Sequence, residues 1–404
     1  MEGVHMAGTK KMKIILLAAL LVPFICSGCA TTRHTIPKSL VDNAEVGGMA
    51  DIRTIMGEKN TPLQKSLVAA LKEGMDEYKA ADGKTVYPIL AISGGSANGA
   101  YGAGLLKGWS DSGTRPQFKV VTGVSTGAII APLVFMGKDY DPEVEKLYTT
   151  MTTKDVMSAK GPFQILFGNS MASNKPLSKQ LDSFIDDDLL KKIAAEHKKG
   201  RRLFVGTTHL DAQRFVVWDM GAIAERGDTK LFGQVILASA SIPVIFPPAF
   251  INVEADGKKY DEMHVDGGTI TQVFTVYKLL EGEASIAKEM GIDPSMIKGV
   301  CYIIRNGYVG SGYMDTKNNL ASISERAFDT IINSQGIGDT YRIYTYMLQR
   351  GNDYNLAFIP NDCRPEAKQM FDPAAMKVLF DRGYQDAVKG YKWHKEPPGL
   401  NDGR

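Results

Sequence analysis

Apolar positions follow two periods along this chain. Short continuous runs at Val86–Ile92, Val120–Val124, Arg202–Thr207, Phe215–Asp219 and Gly299–Arg305 predict strands, several of them apolar enough to be buried on both faces. Leu67, Leu71 and Met75 recur at helical spacing and predict a helix over Leu63–Tyr78. Further helices are expected over Ala100–Trp109, Thr126–Phe135, Leu177–Ile185, Leu189–His197, Lys230–Ser239 and Ala374–Gly390, with one or two long ones in Leu320–Arg350. Phe250–Val253 and Lys259–Val265, joined across Ala255-Asp256-Gly257, read as a hairpin, and Leu356–Pro360 as a short strand. The stretch Asp141–Lys199 is expected to be mostly helical, and residues 30–62, rich in Thr, Gly, Pro and Asn, to form an irregular arm. Strands alternating with helices imply an α/β class with a mostly parallel sheet covered on both faces. The expected organisation is a leader over residues 1–28, an arm and helix over 29–83, one α/β domain over 84–392 and a polar tail over 393–404.

The leader has its own pattern. Lys10, Lys11 and Lys13 precede the 12-residue apolar run Ile14–Ile25, with Met12 the expected start of the natural chain. A bilayer-spanning helix needs about 20 apolar residues, so the run is too short to cross a membrane and reads as a secretory signal. Ser27-Gly28-Cys29 resembles a bacterial lipobox, with Cys26 standing where that pattern usually has Leu. Acylated Cys29 would become the new N-terminus and anchor the protein to a membrane; an ordinary signal peptide without lipid is the alternative. Ala30 in place of Asp after the cysteine implies, by the same resemblance, the outer membrane of a bacterial envelope.

Charge then removes a class of partner. The formal net charge is +2, and residues 1–28, with three lysines against one glutamate, account for all of it. The neutral body offers no basic footprint for nucleic acid. Four cysteines in 404 residues exclude a disulfide scaffold. Cys301 sits in an apolar strand run, so it and Cys363 are expected as free thiols rather than a bridge.

Three segments carry candidate chemistry. Gly123-Val124-Ser125-Thr126-Gly127 matches G-x-S-x-G between a predicted strand and a predicted helix. That context suits a nucleophile elbow, although a serine N-cap reads the same pentapeptide equally well. Upstream, Ser93-Gly94-Gly95-Ser96-Ala97-Asn98-Gly99 also joins strand to helix. Its N–H groups could cradle an anion. Gly102, Gly104 and Gly108 miss the dinucleotide spacing by one residue and lie inside the helix, and no G-x-x-x-x-G-K-[ST] run is present. An oxyanion hole beside Ser125 fits best; close packing of small residues is the plain alternative.

A nucleophilic serine needs a base, and the six histidines supply none by pattern. His5 falls in the leader, His34 in the arm, His197 at a lysine-rich helix end, His209 and His264 at strand ends and His394 in the tail. Asp266, in Val265-Asp266-Gly267-Gly268, could take the proton directly if burial raises its pKa. Alone, Asp-Gly-Gly would read as a turn.

Taken in order, these segments resemble the patatin-like phospholipase family, which arranges a glycine-rich oxyanion loop, then G-x-S-x-G, then D-G-[GA]. The block Ala238-Ser239-Ala240-Ser241-Ile242-Pro243-Val244-Ile245-Phe246-Pro247-Pro248 resembles the family's proline-rich segment before the aspartate. The resemblance spans residues 89–268 and is weaker outside them. It implies a three-layer α/β/α sandwich, a Ser125–Asp266 dyad without histidine, and an oxyanion hole from the N–H groups of Gly95 and Ser96 with Gly94 shaping the turn. It also implies acyl esters such as phospholipids or lysophospholipids as substrates. Ser96 stands where the family often has a third glycine, and Asn98 where it often has a basic residue. No cofactor or metal is expected, because no His/Cys/Asp cluster has ligand spacing. The competing readings are a non-catalytic lipid- or protein-binding lipoprotein of the same fold, and a Ser-Asp-His esterase or peptidase that would have to use His394.

Overall fold

A computed structural model describes residues 33–49, 51–58, 61–276, 296–310 and 312–400. The leader and Cys29 lie outside the described residues. The strands are β1 (Arg53–Ile55), β2 (Thr85–Ile92), β3 (Val120–Gly123), β4 (Ser158–Ala159), β5 (Ala172–Ser173), β6 (Arg202–His209), β7 (Arg214–Asp219), β8 (Ala249–Ala255), β9 (Lys258–Asp266), β10 (Ile297–Tyr308) and β11 (Asp353–Ile359).

Five of them, in the order β11-β10-β2-β3-β6, run parallel and form the centre of the sheet. Beyond β6 the sheet turns antiparallel, through β7 to β1 on one side and through β9 to β8 on the other. The expected three-layer α/β/α class is therefore present, as a mixed sheet whose parallel part is central. Residues of β2 show how the layers arise. Leu90 and Ile92 point into one core, with the helices Gly99–Asp111, Thr126–Met136 and Pro373–Ala387. Ile89 and Ala91 point into a second core, with the helices Pro62–Lys72 and Leu320–Gln349. Alternate side chains of a strand leave opposite faces, so a continuous apolar run needs cover on both.

The glycines inside Gly99–Asp111 have a packing reason. A Cβ on Gly104 would lie 1.9 Å from the Phe380 carbonyl oxygen, and one on Gly108 would lie 2.4 Å from that of Tyr384. These positions let the helix Pro373–Ala387 cross at backbone contact. The reciprocal contact is Gly383, whose Cβ would lie 2.2 Å from the Tyr101 carbonyl oxygen.

Several elements differ from the pattern-based expectation. The long N-terminal helix stops at Lys72; Gly74 turns left-handed at φ 67°, and a separate 3-10 turn, Met75–Tyr78, follows. The arm is partly ordered into the sheet, since β1 pairs antiparallel with β7 and Ile52 is fully buried. The mostly helical stretch contains the two-stranded ribbon β4–β5. Leu320–Gln349 is a single helix of 30 residues. In the C-terminal tail, Trp393 packs on Trp109 and Tyr302, and His394 bridges Leu356 on β11. Cys301, on β10, and Cys363 are both buried and free.

Candidate active site

The site is assembled at the end of β3. There β3 stops with Gly123 opposite Val205 of β6. Along β6, two residues further, Thr207 pairs with Asp266 at the end of β9. Because β7 lines the other edge of β6, β9 takes over the edge that β3 leaves. At about 3.3 Å per residue, two steps along β6 match the two residues from Gly123 to Ser125. The sheet register itself therefore brings Ser125 and Asp266 together.

Ser125 sits in the turn between β3 and the helix Thr126–Met136, at φ 55° and ψ −122°. A non-glycine residue at positive φ is strained by about 1–3 kcal/mol, and such strain gathers at functional sites. The two motif glycines permit the turn. A Cβ on Gly123 would lie 2.4 Å from the Gly127 carbonyl oxygen, and one on Gly127 would lie 2.3 Å from that of Ile92. The Ser125 N–H donates to Ser239 Oγ at 2.9 Å, and Ser239 Oγ donates to the Gly206 carbonyl at 2.7 Å. Ser239 thus ties the turn to β6. Nothing in the proline-rich block around it announces this role.

Asp266 is buried, and the Ser125 hydroxyl stands near enough to its carboxyl group to favour the charged form. Its Oδ1 accepts from the Gly268 N–H at 2.7 Å, and its own N–H donates to the Ser241 carbonyl at 2.9 Å. Burial raises its pKa to about 7, against the lowering pull of the Ser125 hydroxyl and the Gly268 N–H. A carboxylate at that value can accept a serine proton near neutral pH.

The glycine loop faces this pair. A Cβ on Gly94 would lie 2.7 Å from Gln272 Oε1 and 3.2 Å from Ser125 Cβ, so a glycine lets the loop come this close without displacing either. The Gly94 N–H is already engaged, donating to the Gln272 carbonyl at 3.0 Å. Among the described residues, nothing accepts from the N–H of Gly95 or Ser96. Those two N–H groups are therefore available as donors to an anion. Ser96 adopts φ 52° and so takes the left-handed conformation without being glycine.

Two further residues brace the loop, and no motif announced them. Asn306, at the end of β10, donates its N–H to Ser93 Oγ at 2.8 Å and its Nδ2 to the Ser93 carbonyl at 3.0 Å. Gln272 donates through Nε2 to the Gly268 carbonyl at 3.0 Å, linking the loop to the turn after Asp266. The Gln272 N–H in turn donates to Asp339 Oδ2 at 2.7 Å.

His197, His209, His264 and His394 lie elsewhere, and none of them hydrogen-bonds to Ser125 or Asp266. His264 is buried between Thr207 Oγ1, 2.9 Å from Nδ1, and Glu262 Oε2, 3.0 Å from Nε2, and burial lowers its pKa to about 4. Arg53 makes a two-point contact with the same Glu262 carboxylate. His209 lies 3.7 Å from Glu262, and burial lowers its pKa as well. His197 sits 3.5 Å from Asp219. His394 stacks on Phe358 of β11, at the sheet edge, and contacts neither Ser125 nor Asp266. Among the described residues, no group of three or more His, Cys, Asp or Glu is placed to hold a metal ion, and no helix is long and apolar enough to cross a membrane.

With this geometry in view, comparison with known proteins gives the class. Residues 90–275 match the family model described as Patatin-like phospholipase. That stretch contains the glycine loop, Ser125, the proline-rich block and Asp266. The chain carries a patatin-like phospholipase domain, and the protein is a lipid acyl hydrolase. No curated protein is significantly similar to it. Among solved structures, VipD from Legionella pneumophila is similar at 13% identity and TM-score 0.35, over 76% of this chain and 68% of that one. A chain of the complex of SpcU with ExoU from Pseudomonas aeruginosa is similar at 12% identity and TM-score 0.22, over 76% of this chain and 54% of that one. Likenesses this loose carry none of the functional reasoning below.

Proposed function

We propose that the protein hydrolyses acyl ester bonds of phospholipids or lysophospholipids through a Ser125–Asp266 dyad. The observation that supports this reading is the β6 register that puts the Ser125 turn beside Asp266, a buried carboxyl group whose pKa is raised to about 7. Ser125 Oγ attacks the ester carbonyl while Asp266 takes its proton. The N–H groups of Gly95 and Ser96 receive the developing oxyanion. Asp266 returns the proton to the departing alcohol, which leaves an acyl-Ser125 enzyme. Asp266 then accepts a proton from water, which attacks the acyl group, and passes that proton to Ser125 Oγ as the fatty acid leaves. Each step uses one carboxyl group alternately as base and acid, so no histidine is required.

The test is release of fatty acid from lysophospholipid by the purified protein. Ser125→Ala and Asp266→Asn should each lower the rate by several orders of magnitude, and the double variant should cost little more, because residues acting as one unit are not additive. Additive losses would separate the two residues and contradict the dyad.

Export and anchoring belong to the same proposal. The lysine-flanked apolar run and Ser27-Gly28-Cys29 support a lipid-anchored protein of the bacterial outer membrane. Cells expressing the chain should incorporate labelled palmitate, and Cys29→Ala should abolish the label. A mature N-terminus beyond residue 29 without lipid would leave an ordinary exported enzyme.

A further inference from the structure

We infer that the segment Lys160–Met171 is an interfacial docking element whose apolar tip seats in the acyl region of an anionic lipid surface. The inference rests on the lipid-hydrolase reading for its purpose and on the following geometry for its existence.

The ribbon β4–β5 carries a single helical turn, Pro162–Leu166, at its end. Every residue from Gly161 to Asn169 is exposed. Phe163 and Leu166 each expose 75% of their surface, and Ile165, Phe167 and Met171 are exposed beside them. Single exposed apolar residues are ordinary on soluble proteins, whereas a contiguous group marks a contact surface. The tip is also a formed structure. Phe163 and Phe167 pack against each other at a tilt, with ring centroids 4.7 Å apart. The Gly161 N–H donates to Gln164 Oε1 at 3.1 Å, and Lys160 closes the base through its N–H to the Met171 carbonyl at 3.0 Å and its Nζ to Ser170 Oγ at 2.6 Å.

Charge around the tip selects the occupant. Between residues 154 and 180 stand Lys154, Lys160, Lys175 and Lys179 against one acid, Asp155. That carboxylate is used locally, accepting from the Thr152 N–H at 2.9 Å and its hydroxyl at 2.7 Å. An exposed apolar tip with Lys160 at its base and further lysines in the flanking chain fits acyl chains below anionic headgroups.

The tip is also wired to the catalytic end of the sheet. The Met171 N–H donates to the Val244 carbonyl at 2.8 Å and the Ala172 N–H to that of Ile245 at 2.9 Å. Three residues before Val244, the Ser241 carbonyl holds the Asp266 N–H. Val244 adds an apolar side chain that is 68% exposed. Docking by the tip would therefore hold the site against the surface that contains its ester.

The experiment compares the full chain with its F163S/L166S/F167S variant, both carrying Cys29→Ala so that no acyl anchor masks the difference. Partition onto sedimenting vesicles of phosphatidylglycerol and phosphatidylcholine should fall by about tenfold or more in the variant. Hydrolysis of water-soluble p-nitrophenyl butyrate, read in parallel, should stay within about twofold of the parent. Pure phosphatidylcholine vesicles should bind the parent more weakly than the anionic ones. Equal partition of parent and variant would overturn the inference. So would absence of vesicle binding by the parent, which would point to a protein partner for the tip. A second variant, Phe163→Trp, guards against misfolding: its added emission should shift to the blue on anionic vesicles, and an unshifted spectrum would contradict insertion. Lost partition with neither protein cleaving the soluble ester would uphold docking while refuting the dyad.

Discussion

Ser125 and Asp266 come from separate strands that share one ruler: Gly123 lies opposite Val205, and Asp266 lies opposite Thr207, two residues further along β6. The positions of nucleophile and proposed base are therefore set by backbone pairing. Because Asp266 is buried there, its ionisation is linked to folding.

The first prediction concerns that linkage. The Asp266 pKa is raised to about 7, so the folded protein holds this proton more tightly than the unfolded chain. The stabilising contribution is complete below the unfolded pKa and is lost as pH rises through about 7. Asp266→Asn carries no ionisation and escapes the loss. Relative to the parent, the Asn variant should gain about 2–3 kcal/mol of stability between about pH 5 and pH 8. Denaturant titrations at the two pH values would measure this. A constant difference would mean that the carboxyl group ionises as if solvated.

The oxyanion loop gives a pair of opposed outcomes. A Cβ on Gly95 would lie 2.1 Å from the Asn306 carbonyl oxygen, so Gly95→Ala must displace the loop. Ester hydrolysis should drop by about 100-fold or more with the circular dichroism unchanged. Ser96→Gly instead relieves an L-residue at φ 52°, and should melt no lower than the parent and keep its activity. Loss of activity in Ser96→Gly, with the fold intact, would show that the serine side chain does more than occupy the turn.

Gly104 tests the helix crossing. Its Cβ would meet the Phe380 carbonyl at 1.9 Å, so Gly104→Ala must push two helices apart and cost about 1–3 kcal/mol. Gly338, inside the helix Leu320–Gln349, has nothing within 4 Å of a Cβ. Gly338→Ala should therefore stabilise by up to about 1 kcal/mol. Equal effects at the two positions would refute the packing explanation of the glycines in Gly99–Asp111.

Much of this arrangement was legible because its signals are local. β2 and β3 are continuous apolar runs, and each is followed by glycines and a helix, so strand, turn and helix could be placed with Ser125 in the turn. Asp266 was visible only through the order of motifs, since Asp-Gly-Gly alone describes any tight turn. What escaped depends on distant pairing. β1 has three residues in a polar arm, and β4 and β5 have two each, too short for a period to show. Asn306 and Gln272 act through hydrogen bonds to the Ser93–Gly94 segment more than 170 positions away. Only the folded register shows those contacts.

The central claim is that Ser125 is a nucleophile activated by Asp266, and a covalent probe reads it most directly. The purified protein should take up one fluorophosphonate group, located by peptide mass on Ser125. Its labelling rate should rise through about pH 7, where Asp266 loses its proton. Ser125→Ala should take up none, and Asp266→Asn should react at least about 100-fold more slowly with no such pH dependence. Contradiction would take the form of an adduct on another residue, or of undiminished labelling of Ser125 in Asp266→Asn.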